Sequence, residues 1–197
     1  MAQRLLVVAH GLTEGARELV FGAPGDLLPN TVPVLKDRVT SWACGPEQAC
    51  LATARRLGGR AEPIPELRNC DFGDWTDKAL RLIAADDPDG LDSWLKDPRV
   101  APHGGESLAE LIKRVGLIMD ECPWPDGRTV VVVTSLVARA MITHGLGANP
   151  EVIFHIDVGP LGSASFSRSS SMWRLGKLEP GDSVGRTAAA GAHQQSR

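Results

Sequence analysis

A histidine closes an apolar run near the start of the chain: Arg4-Leu5-Leu6-Val7-Val8-Ala9-His10-Gly11-Leu12-Thr13-Glu14. An unbroken apolar run bounded by a turn signal reads as a buried parallel strand. Ligands of open α/β sheets bind beyond the carboxyl ends of the strands, so His10 is placed for proton transfer or nucleophilic attack. Gly11 permits the tight turn that follows. The plainer role for such a histidine is a strand-end hydrogen bond. A second buried run, Thr129-Val130-Val131-Val132-Val133-Thr134, is followed by Ser135. If the two strands are neighbours, His10, Thr134 and Ser135 share one crevice. The third chemical group is Glu106, in Gly104-Gly105-Glu106-Ser107. Ser107 and Glu110 have capping-box spacing, which leaves Glu106 just outside the helix N-terminus, facing whatever the loop lines. Within hydrogen-bond reach, Glu106 would hold His10 at or above its reference pKa of about 6.5.

These groups need elements to hold them. After the first strand comes a Gly- and Pro-rich loop at 22–30. Residues 32–38 read as a short helix or as the approach to a second strand at 38–42. Gly45-Pro46 opens a helix over 47–57, which Gly58-Gly59 ends. A short strand is expected around Ile64, a loop over 66–75, a helix over 78–85 and an irregular excursion over 86–105. Leu108, Leu111, Ile112, Val115, Ile118 and Met119 then recur at helical period. A helix at 136–146 follows the second strand. Residues 152–158, 163–167 and 172–178 read as strands, with Gly159-Pro160-Leu161-Gly162 joining the first two as a hairpin-like edge. The alternation of strands and helices predicts a three-layer α/β/α sandwich with a mostly parallel central sheet. Residues 1–178 form this α/β domain, and 179–197, rich in Gly, Ala, Ser and Gln, a disordered C-terminal tail.

The chain has 197 residues, 43% of them hydrophobic and 23% charged, with a formal net charge of −3. That balance offers no electrostatic case for nucleic acid or an anionic membrane. No apolar run approaches the ~20 residues of a membrane span, and the N-terminus leads straight into the first strand without a signal peptide. Cys44, Cys50, Cys70 and Cys122 show no metal-type spacing and read as buried thiols in a reducing cytoplasm.

Several stretches together resemble the histidine phosphatase superfamily, the phosphoglycerate-mutase-like proteins. Val7-Val8-Ala9-His10-Gly11 is similar to its first strand and histidine, and residues 46–58 to its next helix, with Thr53-Ala54 and Leu57-Gly58 matching. Residues 66–75, Gly104-Gly105-Glu106-Ser107, residues 130–140 and residues 149–165 resemble further segments in the same order. The likeness runs from about residue 4 to 178 and implies the phosphoglycerate-mutase-like fold. It also implies a histidine that is transiently phosphorylated, two arginines and a second histidine around the phosphate, and a glutamate proton donor, with no metal or other cofactor.

The departures fall on the phosphate contacts. Ala9 and Ala49 stand where the resemblance places the arginines, and Ala16 where it places another contact. The second histidine is replaced by Thr134 if the alignment is anchored on Arg139, or by Ser135 if anchored on the strand end. His10, Thr13 and Glu106 remain. Losing one transition-state donor typically costs ~10²–10³ in rate, so losing three charged ones should abolish ordinary turnover. Arg17, Arg55, Arg68 and Arg139 are placed within reach as substitutes, although Arg139 also suits a structural ion pair and Arg55 an exposed helix face. His103 is placed to enter beside Glu106, with a solvated loop as its plainer setting.

The sequence therefore reads as a diverged enzyme of this fold and not an efficient phosphatase. His10 and Glu106 are its acid/base pair, acting on a small-molecule metabolite by isomerisation, elimination or hydrolysis. Gly11, Thr13, Arg17, Ala49, His103, Thr134, Ser135 and Arg139 are the expected substrate contacts. The alternatives are an atypical phosphomonoesterase with a His10 phospho-intermediate, or a non-catalytic binding or regulatory descendant. The expected partner is a small molecule, not nucleic acid or membrane; a homodimer is left open, and the expected location is cytoplasmic.

Overall fold

A computed structural model describes residues 3–22, 25–29, 32, 35, 38–170 and 172–181. Strand β1 (Gln3–Ala9) leads through the short helix α1 (Glu14–Arg17) to β2 (Ser41–Cys44), α2 (Gln48–Arg56) and β3 (Glu62–Pro63). Helices α3 (Leu80–Asp86), α4 (Pro88–Lys96) and α5 (Leu108–Glu121) follow, then β4 (Gly127–Val133), α6 (Ser135–Gly145), β5 (Ser163–Ser169) and β6 (Met172–Glu179). The six strands form one sheet in the order β3-β2-β4-β1-β5-β6. The pairings β3-β2, β2-β4 and β4-β1 are parallel, and β5 and β6 add an antiparallel edge. The mixed α/β architecture and mostly parallel sheet are those expected.

Side chains alternate across a strand, and both faces of this sheet are covered, which gives the three layers. Leu5, Val7 and Ala9 of β1 and Val131 and Val133 of β4 pack with α5 and α6. Val8, Val130 and Val132 turn the other way, against Cys50, Ala54 and Leu57 of α2 and its end. Helix α5 begins as its spacing predicts. Ser107 accepts from the Glu110 N–H (3.2 Å), and Glu110 accepts in return from the Ser107 N–H (2.9 Å).

Four expectations change. The stretch 86–105 is not irregular, because α4 lies within it. Asp87 accepts from the Gly90 N–H (3.0 Å), Pro88 opens the first turn, and Leu91 and Trp94 are buried. Residues 152–158 do not form a strand. Pro150–His155 is a 3₁₀ helix capped by Asn149, and Pro150 supplies the φ suited to a first helical turn. The hairpin joins β5 to β6 at Ser170, whose φ is +69°. Residues 159–162 instead fold back on β1, with Ala9 N–H donating to Gly162 (2.9 Å). Finally β2 starts at Ser41, and β3 precedes Ile64.

Strand β6 ends at Glu179, and the Gly159 N–H donates to the Pro180 carbonyl (2.7 Å), so ordered chain runs slightly past 178. The rest of the expected tail, 182–197, lies outside the described residues. No described helix is long and apolar enough to cross a membrane.

Candidate functional site

Three parallel strands end at one edge of the sheet, and each delivers polar groups there. His10 follows β1, Glu47 and Ala49 follow β2, and Thr134 and Ser135 follow β4. All five border a single cavity of about 590 Å³, inside the range of small-molecule sites. Helix α1 adds Ala16, and Thr13, its cap, also borders the space.

His10 is held at both ends. Its backbone N–H donates to the Val133 carbonyl (2.8 Å), continuing the β1-β4 pairing by one residue. Its ring Nδ1 lies 2.7 Å from the Gly11 carbonyl oxygen. A carbonyl only accepts, so Nδ1 carries the proton and Nε2 keeps its lone pair when the ring is neutral. Gly11 is fixed in turn by Thr53 of α2, whose hydroxyl accepts the Gly11 N–H (3.0 Å). Burial pushes the imidazole below its ordinary pKa, and the Gly11 carbonyl and the Glu47 carboxylate oppose this more weakly. The expectation of a pKa at or above about 6.5 is corrected on two grounds: burial is the largest effect, and the carboxylate that acts on His10 is Glu47, not Glu106.

Glu106 does not border the cavity. Its carboxylate is gripped in a two-point pair by Arg114 of α5, with Nε to Oε1 at 2.7 Å and the second guanidinium nitrogen to Oε2 at 2.6 Å. Arg114 also donates to the carbonyls of Glu66, Arg68 (3.1 Å) and Asn69 (3.3 Å). This clasp fastens the 66–69 loop to α5. From that loop Asn69 reaches the cavity on two sides. Its N–H donates to Glu47 Oε1 (2.6 Å), and its side-chain oxygen accepts from the Thr134 hydroxyl (2.9 Å). Neither Arg114, Asn69 nor Glu47 stood out as a site residue in the sequence. A carboxylate two residues before Ala49, where the resemblance places an arginine, was the available signal for Glu47.

The remaining candidates divide. His10, Thr13, Ala49, Thr134, Ser135 and Arg139 border the cavity, and Gly11 adjoins it through His10. Arg139 is committed elsewhere, because its guanidinium donates through Nε (3.1 Å) and a terminal nitrogen to the Ile153 carbonyl. Arg17 is exposed and paired with Glu14. His103 is neither in the cavity nor in a solvated loop. It is buried against Phe72 and Trp75, with ring centroids 5.9 and 5.1 Å away, and its Nδ1 accepts from the Gly105 N–H (3.1 Å). Backbone crowding explains the placement. The 71–74 and 103–106 loops cross so closely that a Cβ on Gly73 would sit 2.1 Å from the His103 carbonyl oxygen, and one on Gly105 2.2 Å from that of Asp71.

The cavity walls are apolar. Phe21, Phe72, Leu80 and Leu136 line them, and α4 contributes Trp94 and Leu95. Because α4 was not legible in the sequence, neither was this wall. Among the described residues on the lining, Glu47 is the carboxylate, and the cations are Arg139, held by Ile153, and His10 when protonated.

The sequence pattern of the histidine phosphatase superfamily (branch 1) matches residues 32–179. The match begins past β1 and His10. A bifunctional protein of Mycobacterium tuberculosis is 27% identical over 182 residues, covering 83% of this chain and 50% of that protein. A glucosyl-3-phosphoglycerate phosphatase of the same organism is 31% identical over 138 residues, covering 63% of this chain and 61% of the enzyme. The chain thus spans about half the length of the first relative and under two thirds of the second. The solved structure of mycobacterial glucosyl-3-phosphoglycerate phosphatase superimposes with a TM-score of 0.76 at 22% identity, covering 92% of this chain and all of that one.

Proposed function

The chain belongs to the histidine phosphatase superfamily, and from that premise we propose that it is a diverged enzyme of the fold, a poor phosphatase that acts on a small molecule without a phosphate ester. One observation carries this reading: the cavity beside His10 presents a carboxylate, and the one arginine among its described lining residues, Arg139, is turned to the Ile153 carbonyl with the Asp157 charge beside it. Phosphoryl transfer spreads negative charge over three equatorial oxygens and is catalysed by positioned cations and N–H donors. Here Ala49 leaves the wall uncharged where an arginine is expected. Glu47, the residue that caps α2, places its own negative charge at that helix N-terminus, where an anionic ligand would otherwise be favoured.

His10 is the proposed general base. Burial keeps the ring neutral near pH 7, and the Gly11 carbonyl holds the proton on Nδ1. Nε2 can therefore take a proton from a water or from a substrate carbon or hydroxyl, which covers hydrolysis, elimination and isomerisation. Glu106, the expected acid partner, is assigned the structural role of holding Arg114, and Glu47 is the carboxylate beside the base. The four cysteines are free thiols, which suits a reducing cytoplasm.

A second reading is an atypical phosphomonoesterase that forms a phosphohistidine on Nε2. The phosphatase named among the relatives favours it; the charge of the lining opposes it. The test compares p-nitrophenyl phosphate with p-nitrophenyl acetate, which share a leaving group, in the wild type and His10→Ala. The expected result is ester hydrolysis that needs His10, with phosphate turnover far slower. Phosphate turnover at ~1–10³ per second, the ordinary enzyme range, refutes the proposal.

A further inference from the structure

Glu47 is half-buried on the cavity wall, and both of its hydrogen-bond partners are uncharged. Oε1 accepts the Asn69 N–H (2.6 Å), and Oε2 lies 3.6 Å from the Cys50 thiol. Among the described residues no Lys or Arg pairs with it. Arg139, the arginine on the lining, donates to the Ile153 carbonyl and has the Asp157 charge, not Glu47, as its counter-charge. A ligand that fills the cavity removes water from Glu47. A neutral ligand can offer Glu47 a hydrogen bond but no opposite charge, a phosphate adds repulsion, and a cation offsets the loss most fully.

The rest of the lining completes the requirement. Phe21, Phe72 and Trp94 stand together on the wall, Phe21 edge-to-face with Phe72 (5.0 Å) and with Trp94 (5.5 Å). Aromatic walls accept both apolar groups and alkylated ammonium groups. Leu19 and Leu95 also line the cavity yet are 56% and 51% exposed, which puts them at its mouth. Leu19 holds a left-handed backbone, with φ +55°; such backbone strain gathers at ligand clamps.

We propose that this cavity takes an organic cation, an ammonium group on an apolar body, with the ammonium at Glu47 and the body along Phe21, Phe72 and Trp94 toward the leucine-lined mouth. The inference rests on the reading of a phosphate-free substrate and goes further by naming its charge. Glu47 is then a specificity-determining residue, and His10 beside it meets the substrate close to its nitrogen.

The test uses three probes with one apolar body: phenylpropylammonium, phenylpropanol and phenylpropyl phosphate. Each is titrated into the full chain while the amide signals of Gly11 and Ala49 and the Trp94 ring signals are followed by NMR. The ammonium is expected to bind roughly tenfold or more tighter than the alcohol. Glu47→Gln retains a carbonyl oxygen for the Asn69 N–H, and it should remove the preference for the ammonium over the alcohol. Should that variant fail to fold, added salt serves instead: it should weaken ammonium binding to the wild type and spare the alcohol. Alcohol binding as tight as ammonium, or no ammonium binding up to about 10 mM, overturns this inference alone. Tightest binding of the phosphate overturns both it and the function proposed above.

Discussion

Arg114→Met would separate the two roles open to Glu106, one at the cavity and one in the fold. The Glu106 and Arg114 side chains are only 11% and 15% exposed. An exposed ion pair contributes ~0–1 kcal/mol, whereas removing one member of a buried pair costs about 3–5 kcal/mol, because the other charge is left without a partner. The residual exposure of Glu106 places Arg114→Met at the lower end, about 3 kcal/mol. At roughly 2–4 °C per kcal/mol for a chain of this size, Tm should fall by about 6–12 °C. Glu106→Gln keeps the shape and one acceptor oxygen, so it should cost only about 1–2 kcal/mol. Arg114→Met combined with Glu106→Leu should cost less than the sum of its parts, since neither charge is stranded. Urea and thermal unfolding of these variants are read beside probe binding at the cavity. If Glu106→Gln left Tm within about 1 °C of wild type yet abolished binding or His10-dependent turnover, the clasp would be the wrong account, and Glu106 would belong to the cavity.

Two further outcomes follow from the same geometry. Burial lowers the folded-state pKa of His10, so the unfolded chain binds more protons as pH falls through about 6.5 and below. His10 therefore contributes stability that is present above that window and lost on acidification. Its ring should titrate below 6.5 by NMR, and lower still in Glu47→Gln; a midpoint above 6.5 contradicts this. Gly73→Ala, at φ +45° and with its Cβ driven toward the His103 carbonyl oxygen, should cost about 2–4 kcal/mol in urea unfolding. A loss below about 1 kcal/mol would show that the two loops can part easily.

The strands and helices that carry the cavity were legible because their signals are local. An unbroken aliphatic run such as 5–9 or 130–133 can satisfy its side chains only between two covered faces, and Ser107 with Glu110 marks a helix start within four residues. His10, Thr134 and Ser135 were placed together by the same logic, since parallel neighbours end at one edge. Residues 152–158 misled because an apolar stretch of that length fits strand and helix alike; Pro150 and Asn149 tipped its first part into a 3₁₀ turn. Helix α4 was hidden by Pro, Asp and Gly that read as loop, although Asp87 and Pro88 in fact begin it.

Only the tertiary structure decided where the charges go. A carboxylate's role depends on the cation it meets, and Arg114 meets Glu106 from eight residues along α5 while also gathering carbonyls nearly fifty residues away in sequence. The same contact fixes Asn69, and through it Glu47, beside His10. Local sequence determined that a histidine would stand at the end of a buried strand. The long-range packing of loops determined that its charged neighbour is Glu47, because burial and pairing are properties of the folded chain and not of any segment of it.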